Sequence, residues 1–230
     1  MSVIASNIQR IRDIIDRMHP DHAVAIMAVT KNRTRQEADE AINRGVDLVG
    51  ENRVQESIAK WIPRPSVPLH LIGHLQTNKV KYAIDHFDAV DSLDSEKIAE
   101  QLNRRLAEQS RGTFKVMLQI NAGMEESKTG FPPHCDVVRN FLLQASKWPH
   151  LEFIGIMALF PRAIDTSEQE KEKVRKLMKE TGELWRMCQL EGFPWAPLTT
   201  LSMGMSEDYE WAIDAGSTLI RVGTSIFGPR

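Results

Sequence analysis

The sequence predicts a single (β/α)8 TIM barrel with one additional N-terminal helix, residues 1–230 forming one domain. Three observations carry that reading. Eight short apolar runs of strand character alternate with amphipathic helical segments along the chain, and such alternation argues for a parallel sheet covered by helices. Eight repeats in 230 residues suit a closed barrel better than an open doubly wound sheet. No shift in composition is wide enough to mark a boundary between domains.

The elements follow in order. Ile4, Ile8, Ile11, Ile14, Ile15 and Met18 recur at helical spacing and give the opening helix. Residues 24–30 form the first strand. In "TRQEADEAINRG", Thr34 and Glu37 have capping-box spacing, Ala38, Ala41 and Ile42 make the apolar stripe, and Gly45 suits a C-terminal cap. "VDLVG" reads as a strand, "NRVQESIAKWI" as a helix, "LHLIG" as a strand and "QTNKVKYAID" as a helix. "FDAVDSL" precedes a helix with Asp94 as its expected N-cap. "TFKVMLQINA" and "LEFIGIMAL" are strands flanking the helix "CDVVRNFLLQASKW". A long helix over residues 167–191 then carries Val174, Leu177, Met178, Trp185 and Cys188 on one stripe. "LTTLSMG", the helix "SEDYEWAIDAG" and "TLIRVG" complete the pattern, with no helix expected after the last strand.

Composition narrows the function classes. Apolar content of 42% and charged content of 26% are ordinary for a soluble globular chain. A net charge of -2, from 29 basic and 31 acidic residues, gives no electrostatic case for nucleic acid. The apolar runs are too short to span a bilayer, and the N-terminus lacks the uninterrupted apolar stretch of a signal peptide, so no membrane partner is expected. Cys135 and Cys188, widely separated and without a C-x-x-C pair, read as reduced thiols of a cytoplasmic protein. Trp61, Trp148 and Trp195 fall near turns, where exposed aromatics would mark a partner surface.

In such a barrel the C-terminal strand ends line the functional mouth. Lys31 follows the first strand there, although charge beside a strand end is by itself ordinary. A lysine in that place serves as a base, a Schiff-base former or a phosphate clamp. "LSMGMS" and "RVGTSIFG" follow strands seven and eight, where barrels build phosphate sites from backbone N–H groups. Ser202, Gly204, Gly223 and Thr224 let the backbone approach an anion and add hydroxyl donors. An amine on strand one with a phosphate cradle opposite is what pyridoxal phosphate needs. Arg221 suits the pyridine nitrogen, to which it donates while discouraging protonation. The ring is then a poorer electron sink.

"AVTK", "GENRVQE", "HLIGHLQTNKVK", "INAGMEESKTGF", "GIMAL" and "LSMGMSEDYEWAIDAGSTLIRVGTSIFG" together resemble, in order, the pyridoxal phosphate homeostasis protein family. That family is similar to the N-terminal barrel of alanine racemase. The resemblance implies pyridoxal 5'-phosphate held as an internal aldimine on Lys31, with Ser202, Gly204, Gly223 and Thr224 on its phosphate. It implies Arg221 at the pyridine nitrogen and Asn52 and Met157 along the ring. His74, Lys79 and Lys128 fall in family motifs without an assigned role. The chain departs from the family at Asn32–Thr34, where Thr-Lys-Pro is usual, and at Arg53, where an aromatic is common.

Racemisation needs a base on each face of the cofactor. Tyr82 and Tyr209 fall within helices, and the sequence continues only to "IFGPR" after strand eight, without the additional β domain that supplies the second base in alanine racemase. These absences argue against efficient substrate chemistry, and the resemblance implies the same: a non-catalytic carrier acting in cofactor homeostasis and amino-acid and keto-acid balance. Apo forms of pyridoxal phosphate enzymes are its implied acceptors. Two alternatives stay open: a low-efficiency amino-acid racemase, and a barrel binding another phosphorylated metabolite with Lys31 as base.

Overall fold

The computed structural model describes residues 2–162 and 166–229. Helix α1 (Val3–Met18) starts at Ser2, whose hydroxyl accepts from the Ala5 N–H at 3.1 Å, and ends where His19 turns into the left-handed region. Its stripe of Ile4, Ile8, Ile11 and Ile15 is buried, each side chain contributing about 1.5–3 kcal/mol. The Asn7 amide donates to the Ile226 carbonyl at 2.9 Å, tying this helix to the end of the chain.

Eight parallel strands close in sequence order: β1 (Ala25–Val29), β2 (Leu48–Glu51), β3 (Leu69–Leu71), β4 (Ala89–Leu93), β5 (Phe114–Asn121), β6 (Leu151–Leu159), β7 (Thr200–Ser202) and β8 (Leu219–Val222). β8 pairs back onto β1, with Met27 opposite Arg221. The intervening helices are α2 (Arg35–Asn43), α3 (Val54–Lys60), α4 (Val80–His86), α5 (Glu96–Glu108), α6 (Cys135–Leu143), α7 (Glu168–Glu191) and α8 (Tyr209–Asp214). The expected capping box is present: the Thr34 side chain accepts from the Glu37 N–H, and the Glu37 carboxylate accepts from the Thr34 N–H at 2.8 Å. Gly45, at φ +87°, makes the left-handed exit from α2.

The core has two parts. A large layer lies between strands and helices, while Met27, Leu48, Met117, Met157 and Leu219 plug the barrel interior. Strands β6 and β7 approach so closely at Gly155 that a Cβ there would lie 1.9 Å from the Thr200 carbonyl oxygen. A side chain at that position would push the two strands apart.

Several expectations are corrected. A four-residue helix, α9 (Thr224–Phe227), follows β8; one turn is too short to show helical periodicity. Helix α6 ends at Leu143, and residues 145–147 continue as a 3-10 turn. Ser95, not Asp94, is the N-cap of α5; Asp94 accepts from its neighbour's hydroxyl and lies 2.8 Å from His74 Nδ1. Trp61 and Trp148 are buried, so of the three tryptophans only Trp195 is exposed. Cys188 is a buried free thiol whose pKa is pushed up to about 11, chiefly by burial, and Cys135 is a half-buried one. Among the described residues, no helix is long and apolar enough to cross a membrane.

Candidate functional site

Lys31 stands where β1 leaves the barrel. The Thr30 N–H still donates to the Gly50 carbonyl at 3.0 Å, and then the chain turns sharply. Asn32 adopts φ +56°, and the Arg33 N–H returns to the Thr30 carbonyl at 3.0 Å. The lysine side chain is thereby set on the wall of a cavity of about 320 Å³, a size suited to a small ligand.

Arg221 forms the base of that cavity. Its guanidinium donates to the Ser202 carbonyl at 2.7 Å, the Ser202 hydroxyl at 2.9 Å and the Ala158 carbonyl at 2.9 Å. Five N–H groups less these three bonds leave two. Burial pulls its pKa down to about 10, opposed by the carboxylates of Asp208 and Asp91. The group therefore stays protonated at neutral pH, a fixed donor that cannot accept a proton.

The opposite wall is built from the two loops after β7 and β8. The Ser206 hydroxyl accepts from the Gly223 and Ser225 N–H groups, both at 3.1 Å, and the Ser225 hydroxyl donates to the Ser206 carbonyl at 3.0 Å. Ser206 thus occupies both backbone N–H groups, and what lines the cavity here is the Ser206 and Thr224 side chains beside Gly223, hydroxyls suited to a phosphate. Asp208 holds the Met205 N–H at 2.6 Å, and burial raises its carboxyl pKa against that bond. Arg33, Lys128 and Arg162 add positive charge at the rim; Glu207 offsets part of it by pairing with Arg162 at 3.0 Å.

Of the residues expected from the sequence, Lys31, Arg221, Gly223 and Thr224 share this cavity. The other four lie beside or beneath it. Ser202 is fully buried and serves Arg221. Gly204 makes the turn after β7 at φ +90°, where a Cβ would lie 2.6 Å from that of Ala212, and its carbonyl accepts the Arg221 N–H at 2.9 Å. Met157 belongs to the apolar plug below. Asn52 lines a neighbouring cavity with Gly73 and His74, and its Oδ1 is buried without a hydrogen-bond partner.

Lys128 lines the main cavity, anchored to Glu125 at 2.5 Å and to the Phe160 carbonyl at 2.9 Å. His74 and Lys79 do not; the Lys79 ammonium lies 5.9 Å from the centre of the Tyr82 ring. Tyr82 is exposed on α4, and Tyr209 is buried at the start of α8. Sequence reasoning passed over Ser206. Its signal was present, a hydroxyl two residues beyond Gly204 in the same glycine turn.

The family described as alanine racemase, N-terminal domain, matches residues 1–230. The chain is 35% identical over 234 residues to the pyridoxal phosphate homeostasis protein of Pasteurella multocida, covering 100% of this chain and 96% of that one. The human pyridoxal phosphate homeostasis protein is 35% identical over 216 residues, covering 89% and 76%. PipY of Synechococcus elongatus, solved with PLP bound, superposes with a TM-score of 0.81 at 33% identity, covering 98% and 100%. The alanine racemase of E. faecalis shares the fold alone, with a TM-score of 0.75 at 18% identity, covering 99% of this chain and 58% of that one.

Proposed function

The chain belongs to the pyridoxal phosphate homeostasis protein family, and on that premise we propose that it is a non-catalytic carrier of pyridoxal 5'-phosphate. One observation carries the reading: an amine, a buried guanidinium and a phosphate-type donor set share one cavity on the mouth of a barrel. The cofactor supplies an aldehyde that condenses with a lysine amine, releasing one water, and a ring that withdraws electrons from carbon attached through that nitrogen. Lys31 tethers it. The Ser206 and Thr224 hydroxyls take its phosphate beside Gly223, with Ser206 held by the Gly223 and Ser225 N–H groups and Gly204 shaping the turn behind them. Arg221, fixed in orientation by Ser202, donates to the pyridine nitrogen. Asn52 and Met157 bound the ring side, Asn52 from the adjoining cavity and Met157 from the plug.

The same geometry favours holding the cofactor over turning substrate over. An arginine with a pKa of about 10 leaves the pyridine nitrogen unprotonated, which weakens the electron sink. Neither tyrosine is on the cavity wall to act as a second base. Acceptors of the released cofactor are apo forms of enzymes that use it, which links the protein to amino-acid and keto-acid balance. Two free cysteines suit the cytoplasm, and residues 1–230 act as one cofactor-binding domain.

The test has two parts. Protein incubated with pyridoxal 5'-phosphate gains the visible absorption band of a lysine-bound chromophore, and Lys31→Ala abolishes it; an unchanged band rejects the tether. The loaded protein exchanges the α-proton of alanine no faster than free cofactor. Stereospecific exchange well above that rate establishes the racemase reading instead.

A further inference from the structure

In the motif "GENRVQESIAK" only Asn52 is given to the cofactor; Glu51, Glu56 and Lys60 instead hold the residues on either side of Lys31. Glu51, at the end of β2, is completely buried. Its Oε1 accepts from the Thr30 hydroxyl at 2.6 Å, from Lys60 Nζ at 2.9 Å and from the Trp61 indole N–H at 3.1 Å. Lys60 also donates to the Thr30 carbonyl at 2.6 Å. One turn back on α3, Glu56 accepts the Asn32 N–H at 2.6 Å and lies 3.7 Å from the same Lys60 ammonium. Thus the residue before Lys31 is held at its hydroxyl and carbonyl, and the residue after it at its N–H, by one charged trio. Arg35 stacks 4.8 Å above the Trp61 ring and closes the trio on the outer side.

A buried carboxylate and ammonium make a poor source of net stability, because desolvation offsets most of their attraction. What they supply here is direction: charge-assisted bonds are short and geometrically strict. Asn32 is a non-glycine residue in the left-handed region, and the Glu56 bond holds it there. We propose that Glu51, Glu56 and Lys60 are positioning residues, bracing the main chain on both sides of Lys31 so that its amine points at the cofactor aldehyde. The inference rests on Lys31 being the tether.

The experiment separates reach from capture. Pyridoxine 5'-phosphate carries the ring and phosphate but no aldehyde, so its affinity reports the pocket without the amine. In Glu56→Ala it binds as in wild type, while the visible band with pyridoxal 5'-phosphate forms at least about tenfold more slowly, the scale expected for a misplaced reacting group. Glu56→Gln, which keeps an acceptor for the Asn32 N–H, restores most of the rate. Thr30→Val, nearly isosteric, removes the bond to Glu51 without a cavity and slows capture similarly. Equal capture rates in wild type, Glu56→Ala and Thr30→Val overturn the brace, as does a parallel loss of pyridoxine 5'-phosphate binding. If wild type forms no band, the tether itself fails, which is a different result.

Discussion

Gly204 offers the sharpest test of how the backbone builds the phosphate wall. Replacing it with alanine imposes two separate costs. At φ +90° an L side chain is strained by about 1–2 kcal/mol. The added Cβ also meets Ala212 Cβ at 2.6 Å and Tyr209 Cα at 2.9 Å, neither of which can swing aside, so α8 must move. Overpacking of that kind costs about 1–3 kcal/mol more, for a total of about 2–5 kcal/mol. Gly45 is the internal control: its φ is +87°, but a Cβ there meets nothing within 4 Å, so Gly45→Ala bears only the conformational part. With a urea slope of about 2 kcal/mol/M, the midpoint falls by roughly 1–2.5 M in Gly204→Ala and by about 0.5–1 M in Gly45→Ala. Displacing α8 also drags Ser206, so pyridoxal 5'-phosphate affinity drops in Gly204→Ala and is unchanged in Gly45→Ala. Equal midpoints for the two variants, or full cofactor affinity in Gly204→Ala, would refute the argument.

Other expectations follow from single contacts. Ser206→Ala removes a hydroxyl donor from the cavity wall and the acceptor that ties the Gly223 and Ser225 N–H groups together, so inorganic phosphate binds about tenfold more weakly, read by direct titration. Thr34→Ala deletes one half of the capping box on α2 and lowers stability by about 1 kcal/mol in chemical denaturation, with cofactor affinity intact. The Cys188 thiol has a raised pKa when folded, so its contribution is present below pH 9 and disappears as pH climbs towards 11. Wild type therefore loses up to about 3 kcal/mol over that window which Cys188→Ala does not lose; parallel pH profiles would show that burial does not perturb the thiol.

Much of the fold was legible because its signals are local. Thr34 with Glu37 and the exit at Gly45 each depend on a few adjacent residues, and the strand–helix alternation on short windows of apolar spacing. Lys31, Arg221, Gly223 and Thr224 were legible because a barrel forces the strand ends to converge. What escaped depends on contacts across the fold. Nothing in "SMG" shows that the Ser202 hydroxyl takes a guanidinium bond from β8. Trp61 lies near a turn, but its indole N–H has a buried carboxylate to reach, so it faces inward. Asp94 has the spacing of a cap yet lies beside His74 from the preceding loop. Helix α9 spans one turn, too few residues for any periodicity.

The central claim is that Lys31 is the covalent tether of a carried cofactor. It is tested most directly by reducing the loaded protein with borohydride and mapping the pyridoxyl label on its peptides. The prediction is a label concentrated on Lys31 and diminished when excess inorganic phosphate is present during loading, before reduction. A label on Lys128, or spread over surface lysines with Lys31 unmodified, would contradict it.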